Sequence, residues 1–151
     1  MKLLLFTDPH SEIKVINKIA LKAKESDVII CAGDISLFEQ GLEDTIREMD
    51  NIGKPILLIH GNHESSELTR LISRNYKNIT FLHKTKKVIN NVLFFGFGGE
   101  GFSHKTPEFE KSSKKFKTWI DKAKKTIMII HQPPLNTKLD KLSIGHVGNK
   151  S

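Results

Sequence analysis

Carboxylate, imidazole and amide side chains recur along this chain in four short clusters. They are Asp8-Pro9-His10, Gly33-Asp34, Gly61-Asn62-His63-Glu64 and a lone His131. Each follows an apolar run. Carboxylate oxygen, amide oxygen and imidazole nitrogen suit divalent first-row metals. Asp8 and His10, two residues apart, can turn to the same side of an extended turn. The glycines before Asp34 and Asn62 let the backbone bend tightly beside an ion. Taken singly, each cluster has a purely structural explanation. Asp8 could cap a helix starting near Ser11, Gly33-Asp34 could be a plain turn, Asn62 could cap the next helix, and His131 could be a hydrogen-bonded loop residue before two prolines. Four such accidents in order, all at the ends of apolar runs, are improbable, and together they point to one metal site.

The elements needed to position such a site are legible in the pattern. Lys2 to Phe6, Val28 to Ala32 and Ile56 to His60 read as buried strands. Between and after them, residues 12–26, 39–51 and 64–76 carry apolar side chains at helical spacing. Three alternations of strand and helix argue for parallel βαβ units. Residues 80–82, 87–90 and 92–97 then form strands without intervening helices, with Asn90-Asn91 as a tight hairpin turn. Pro107 to Lys122 reads as a Lys-rich helix whose apolar side is Phe109, Phe116, Trp119 and Ile120. Thr126 to Ile130 is a further buried strand, and residues 135–151 read as a polar loop. The fold class is α/β: a layered sandwich of mixed sheets flanked by helices, in one domain over residues 1–151. Ligands in open α/β sheets gather beyond the carboxyl ends of the strands, so the four clusters converge on one rim.

Composition narrows the function classes. The longest apolar runs fall far short of the ~20 residues of a membrane span, so no membrane association is expected. The apolar core of the N-terminus is four residues long and meets Asp8 soon after, which excludes a secretion signal. Cys31 is the single cysteine and lies in an apolar run, so a buried thiol and a reducing cytoplasm are expected. The net charge is +7, mostly from lysine, with arginine only at 47, 70 and 74. Residue type favours lysines spread over solvated faces; attraction of a nucleic acid is the alternative. His60 reads as structural, His83 and His104 as solvated. Gly98-Gly99-Glu100 reads as a pocket floor or a hairpin return.

The ordered clusters resemble the calcineurin-like metallophosphoesterase superfamily, whose signature is Asp-x-His, Gly-Asp, Gly-Asn-His-Asp/Glu, a later His and finally Gly-His-x-His. Small prokaryotic, often archaeal, phosphoesterases also carry counterparts of His131-Gln132-Pro133-Pro134, Thr137-Lys138-Leu139-Asp140 and His146-Val147-Gly148. The resemblance implies an αββα sandwich and a binuclear centre of two divalent ions (Mn, Fe, Zn or Ni). Asp8 and His10 would hold the first ion, Asp34 would bridge, and Asn62 and His131 would hold the second. His63 would stand beside the scissile phosphate of an ester substrate. An inactive phosphate- or nucleic-acid-binding domain is the alternative. Two departures stand out. Protein phosphatases carry a second Asp three residues after the bridging one, where this chain has Leu37, so His63 is expected to lack a carboxylate partner. The closing Gly-His-x-His is also missing, since Gly145-His146-Val147-Gly148 ends in glycine. The expectation is a fold incomplete at its C-terminus, with impaired activity and an uncovered sheet edge.

Overall fold

The computed structural model describes every residue except Glu100 and Phe102. The expected alternation is present: β1 (Leu3–Phe6), α1 (Ile13–Ala23), β2 (Val28–Cys31), α2 (Leu42–Asp50), β3 (Ile56–Leu58), α3 (Ser66–Ser73) and β4 (Ile79–Phe81). These four strands form a parallel sheet in sequence order. A second sheet, ordered β5-β6-β7, consists of β5 (Lys86–Ile89), β6 (Val92–Phe97) and β7 (Thr126–Ile130). Strands β5 and β6 are antiparallel, whereas β6 and β7 are parallel and joined through α4 (Pro107–Asp121).

Alternation along the strands builds the layers. On β2, Ile29 and Cys31 face helices α1 to α3, where Ile16, Ile19, Leu42, Ile46, Met49 and Ile72 complete one core. Val28 and Ile30 face the other way, meeting Leu57, Ile59, Phe94 and Ile129 between the two sheets. The outer face of the second sheet packs Leu93, Phe95 and Phe97 on Phe116, Phe109 and Trp119 of α4. The result is an α-β-β-α sandwich. Both faces of the parallel sheet are covered, and β2 is buried along its whole length. Leu5 on β1 and Met128 on β7 stand exposed at sheet edges.

Several local expectations change. α2 starts at Leu42 rather than residue 39, because Phe38 and Glu39 adopt positive φ and Leu37 bridges to Gln40. α3 likewise starts at Ser66, capped by Ser65, whose hydroxyl accepts the Leu68 N–H. Asn90 and Asn91 take φ of 49° and 61°, the left-handed pair of a tight hairpin. Residues 135–151 are more than a loop: β8 (Lys141–Leu142) pairs with β9 (Gly145–His146). The buried Asp140 organises them, accepting hydrogen bonds from Asn136 N, Thr137 N, Gly148 N and His146 Nδ1.

His83 is not solvated as expected. It is buried at 5% exposure, with Nδ1 3.0 Å from the Gly98 N–H and 3.1 Å from His60 Nε2. Its position just past β4 turns it inward between Phe81 and Phe97. Burial, with His60 beside it, pushes its pKa down to about 3. His60 is structural as expected, and His104 is exposed. Cys31 is fully buried, which raises its thiol pKa to about 12. Gly98 cannot carry a side chain, because a Cβ there would lie 2.2 Å from the His60 carbonyl oxygen. Glu100 of the expected pocket floor lies outside the described residues.

Candidate metal centre

The parallel pairing of β1 with β2 continues beyond the strands as a clasp between two loops. Asp8 N–H donates to Gly33 O at 3.0 Å, His10 N–H to Asp34 O at 3.2 Å and Ser11 N–H to Ile35 O at 2.9 Å. Asp8, His10, Ser11 and Asp34 all adopt positive φ, a conformation that L-residues enter at a cost. Asp8 does not cap α1, whose N-cap is Glu12. The clasp instead sets Asp8 and His10 beside Asp34, with His10 Nε2 3.8 Å from Asp8 Oδ1.

Asp34 is buried at 5% exposure, and its Oδ1 accepts the N–H groups of Asn62 (2.8 Å) and His63 (3.2 Å). This approach requires glycine at position 61, where a Cβ would lie 1.9 Å from that oxygen. Gly33 is equally constrained, because a Cβ there would crowd Gly61 N at 2.7 Å and His131 Nδ1 at 2.8 Å.

His131 closes the ring from the second sheet, 3.6 Å from Asp34 Oδ1 and 3.2 Å from Asn62 Oδ1 through its Nε2. Its Nδ1 lies 2.8 Å from Ala32 O. A carbonyl only accepts, so Nδ1 carries the proton and the neutral ring presents a lone pair at Nε2. His10 is set in the same way by Ser36 O, 3.3 Å from its Nδ1. Two imidazole lone pairs, the Asp34 carboxylate and the Asn62 amide oxygen therefore converge, and in this tautomer none of these groups offers a proton to the others. Such a set could hold a cation, since a backbone carbonyl on His Nδ1 is how metal-ligating imidazoles are oriented.

His63, expected beside a phosphate rather than at an ion, stands close to the ligand set itself. Its ligand atom joins those of His10 and Asp34, all within 4.8 Å of one another. Its Nε2 is 3.9 Å from Asp34 Oδ2, and its ring packs edge-on against His10 and Phe38. Among the described residues its buried Nδ1 has no hydrogen-bond partner, and Leu37 is exposed. All six expected site residues thus lie at one rim. Asp8, Asp34, Asn62, His63 and His131 line an open cavity of about 290 Å³, walled by Pro133 and by Val147 of the C-terminal segment.

A family model described as calcineurin-like phosphoesterase matches residues 1–148. The chain belongs to the calcineurin-like phosphoesterase family. Among solved structures, TT1561 of Thermus thermophilus superposes with a TM-score of 0.79 at 17% identity, over 98% of this chain and 72% of that one. A second solved structure gives a TM-score of 0.77 at 17% identity, over 99% of this chain and 76% of that one. These likenesses bear on the fold. No curated protein matches the chain at the sequence level.

In this calcineurin-like phosphoesterase, sequence reasoning left one residue without a role. Glu64 is buried at 5% exposure beneath the rim. Its Oε1 accepts the N–H groups of Ile35 and Gly61, each at 3.0 Å, and its Oε2 lies 3.5 Å from Ser36 Oγ. One carboxylate thereby fastens the loop carrying Asp34 to the loop carrying Asn62 and His63. Burial raises its pKa above the usual carboxylate range; the two N–H groups oppose that rise, and nearby Asp34 adds to it. The available signal was the acid ending Gly61-Asn62-His63-Glu64, with no spacing rule to say that it points inward.

Proposed function

We propose that this protein hydrolyses phosphate esters, mono- or diesters, with two divalent ions bound at the rim. Family membership supports metal-dependent phosphoesterase chemistry. The observation that carries the binuclear reading is the central position of Asp34. Its Oδ2 is nearest His63 among the imidazoles that flank it on the His10 side, and its Oδ1 faces His131 and shares the Asn62 neighbourhood. Asp8 and His10 would hold one ion, Asn62 and His131 the other, and Asp34 both, since a carboxylate can bridge two cations. Mn, Fe, Zn and Ni all accept such a mixed nitrogen and oxygen set. Bound there, the ions would supply a water of lowered pKa and offset charge developing on the phosphoryl oxygens.

The chain's own residues have separable roles. His131 and His10 keep their lone pairs aimed through backbone carbonyls. His63 would donate to a phosphoryl or leaving-group oxygen, and among the described residues no carboxylate bonds its Nδ1. Gly-His-x-His does not occur in this sequence, so the donors above are the ones this chain's own residues would offer the ions. Asp34→Asn tests the reading. We expect metal binding by calorimetry to weaken and Mn²⁺-dependent cleavage of an aryl phosphodiester to fall by about 10²–10³-fold, the scale of losing a key electrostatic group. Unchanged metal affinity and unchanged turnover would refute the assignment.

A further inference from the structure

The charge of this chain is segregated rather than spread. Residues 84–125 hold eleven lysines against four acidic residues, a surplus equal to the whole chain's net charge of +7. The remaining 109 residues are balanced to neutrality. This stretch comprises β5, β6, α4 and the turn into β7, which is the outer layer of the second sheet. Among the described residues only Lys84 and Lys105 of the eleven are ion-paired, to Glu108 and Glu110.

The lysines surround a hollow. Lys86, Lys122 and Lys124, with Asn91, Val88 and Trp119, line a concavity of about 490 Å³ between β5 and the end of α4. Trp119 is the single tryptophan. Lys86 Nζ stands 5.2 Å and Lys115 Nζ 4.9 Å from its ring centroid. Cation–π attraction restrains two ammonium groups that would otherwise sweep freely. The apolar side of α4 is already spent, with Phe116 buried and Phe109 packed on the sheet, so no broad apolar face remains for a bilayer.

We propose that this hollow binds the phosphate backbone of single-stranded nucleic acid without sequence preference. The occupant follows from charge complementarity and shape. Four clustered lysines match successive phosphates, and a basic hollow with an aromatic ring, Trp119, in its lining is the make-up of a single-strand site. The surface is separate from the metal rim and does not depend on it, so the test is run with chelator present.

The test is fluorescence anisotropy with labelled oligo(dT) and oligo(U) of about 20 nucleotides, followed over a salt series. Four phosphate contacts give an expected slope of log affinity against log salt near −3, at about −0.7 per contact. The triple variant K86E/K122E/K124E should weaken binding by at least about 10²-fold. The control K14E/K18E/K22E makes the same change in net charge on exposed positions of α1, on the opposite layer; at about 0.1 M salt it should cost less than about 3-fold. Equal losses in the two variants, or binding indifferent to salt, would overturn the proposal. So would tighter binding to a duplex or to vesicles containing phosphatidylserine. Trp119 emission gives a reading that needs no variant: it should change as oligonucleotide saturates the protein, and constant emission at saturation overturns the assigned position.

Discussion

Replacing Glu64 separates two jobs that one buried carboxylate performs, accepting hydrogen bonds and carrying charge. Alanine leaves the Ile35 and Gly61 N–H groups without their acceptor beneath the rim. Each orphaned buried donor costs about 1–3 kcal/mol, so Glu64→Ala should lose roughly 2–6 kcal/mol. For a chain near 150 residues this is a fall of about 4–24 °C in melting temperature. Glutamine retains an acceptor at Oε1, and its NH₂ can face Ser36 Oγ, so Glu64→Gln should stay within about 1 kcal/mol at neutral pH. The pH profile distinguishes the jobs further. Burial raises the folded-state pKa of Glu64 above 4.5, so the folded protein binds the extra proton. Stability should therefore fall as pH rises from the ordinary carboxylate value through the raised one, and Glu64→Gln should remove that slope. Thermal unfolding of the three proteins across pH is the assay, with calorimetric Mn²⁺ titration beside it. We expect Glu64→Ala to weaken metal binding, because it releases the Asp34 loop from the Asn62 loop. Indistinguishable unfolding of Glu64→Ala and wild type, or an unchanged slope in Glu64→Gln, would refute the reasoning.

The rim and the C-terminal segment offer two further tests. Gly61→Ala forces a Cβ to within 1.9 Å of Asp34 Oδ1 unless the backbone moves; calorimetry should show metal affinity reduced by more than about tenfold, and unfolding a loss of about 1–3 kcal/mol. For Asp140, burial works against the charge, but bonds from His146, Thr137, Gly148 and Asn136 outweigh it and hold the pKa below the ordinary 3.8. The stabilisation is present above that value and lost as pH falls through and below it. Asp140→Asn should speed amide exchange between residues 136 and 148 while leaving the sheets protected, and uniform protection would count against a local anchor.

What the sequence disclosed follows the range of the forces involved. The strand–helix alternation and the Asn90-Asn91 hairpin rest on local periodicity and φ preference, and both are found. The convergence of Asp8, His10, Asp34, Asn62, His63 and His131 at one rim was legible because parallel strands bring their carboxyl ends to one side; the clasp between the loops, which sets the side chains, was not. His83 was misread because it lies in a lysine-rich stretch, of which Lys86 and Lys87 are exposed. Only the pairing of β6 beyond β4 brings Gly98 N–H within its reach. Residues 135–151 look polar because they are, but their polarity is turned inward onto Asp140. Lysine segregation was countable in the sequence, yet had no meaning until α4 and β5 were seen to share a face.

The positive-φ residues show what the rim costs the fold. Asp8, His10, Ser11, Asp34, Phe38 and Glu39 lie in the two loops that follow β1 and β2, and none is glycine or asparagine. Strain of this kind costs on the order of 1 kcal/mol or more per residue, and persists where the surroundings over-determine the backbone. Here they do. Three bonds clasp the first loop to the second, Glu64 and Asp34 tie the second loop to the third, and His131 is bonded back to Ala32 from the other sheet. Sequence preference would relax each of these residues into an ordinary turn, and would at once turn the Asp34 carboxylate and the His10 lone pair away from each other. The sandwich therefore contributes more than a platform: its stability holds together acceptors that repel one another.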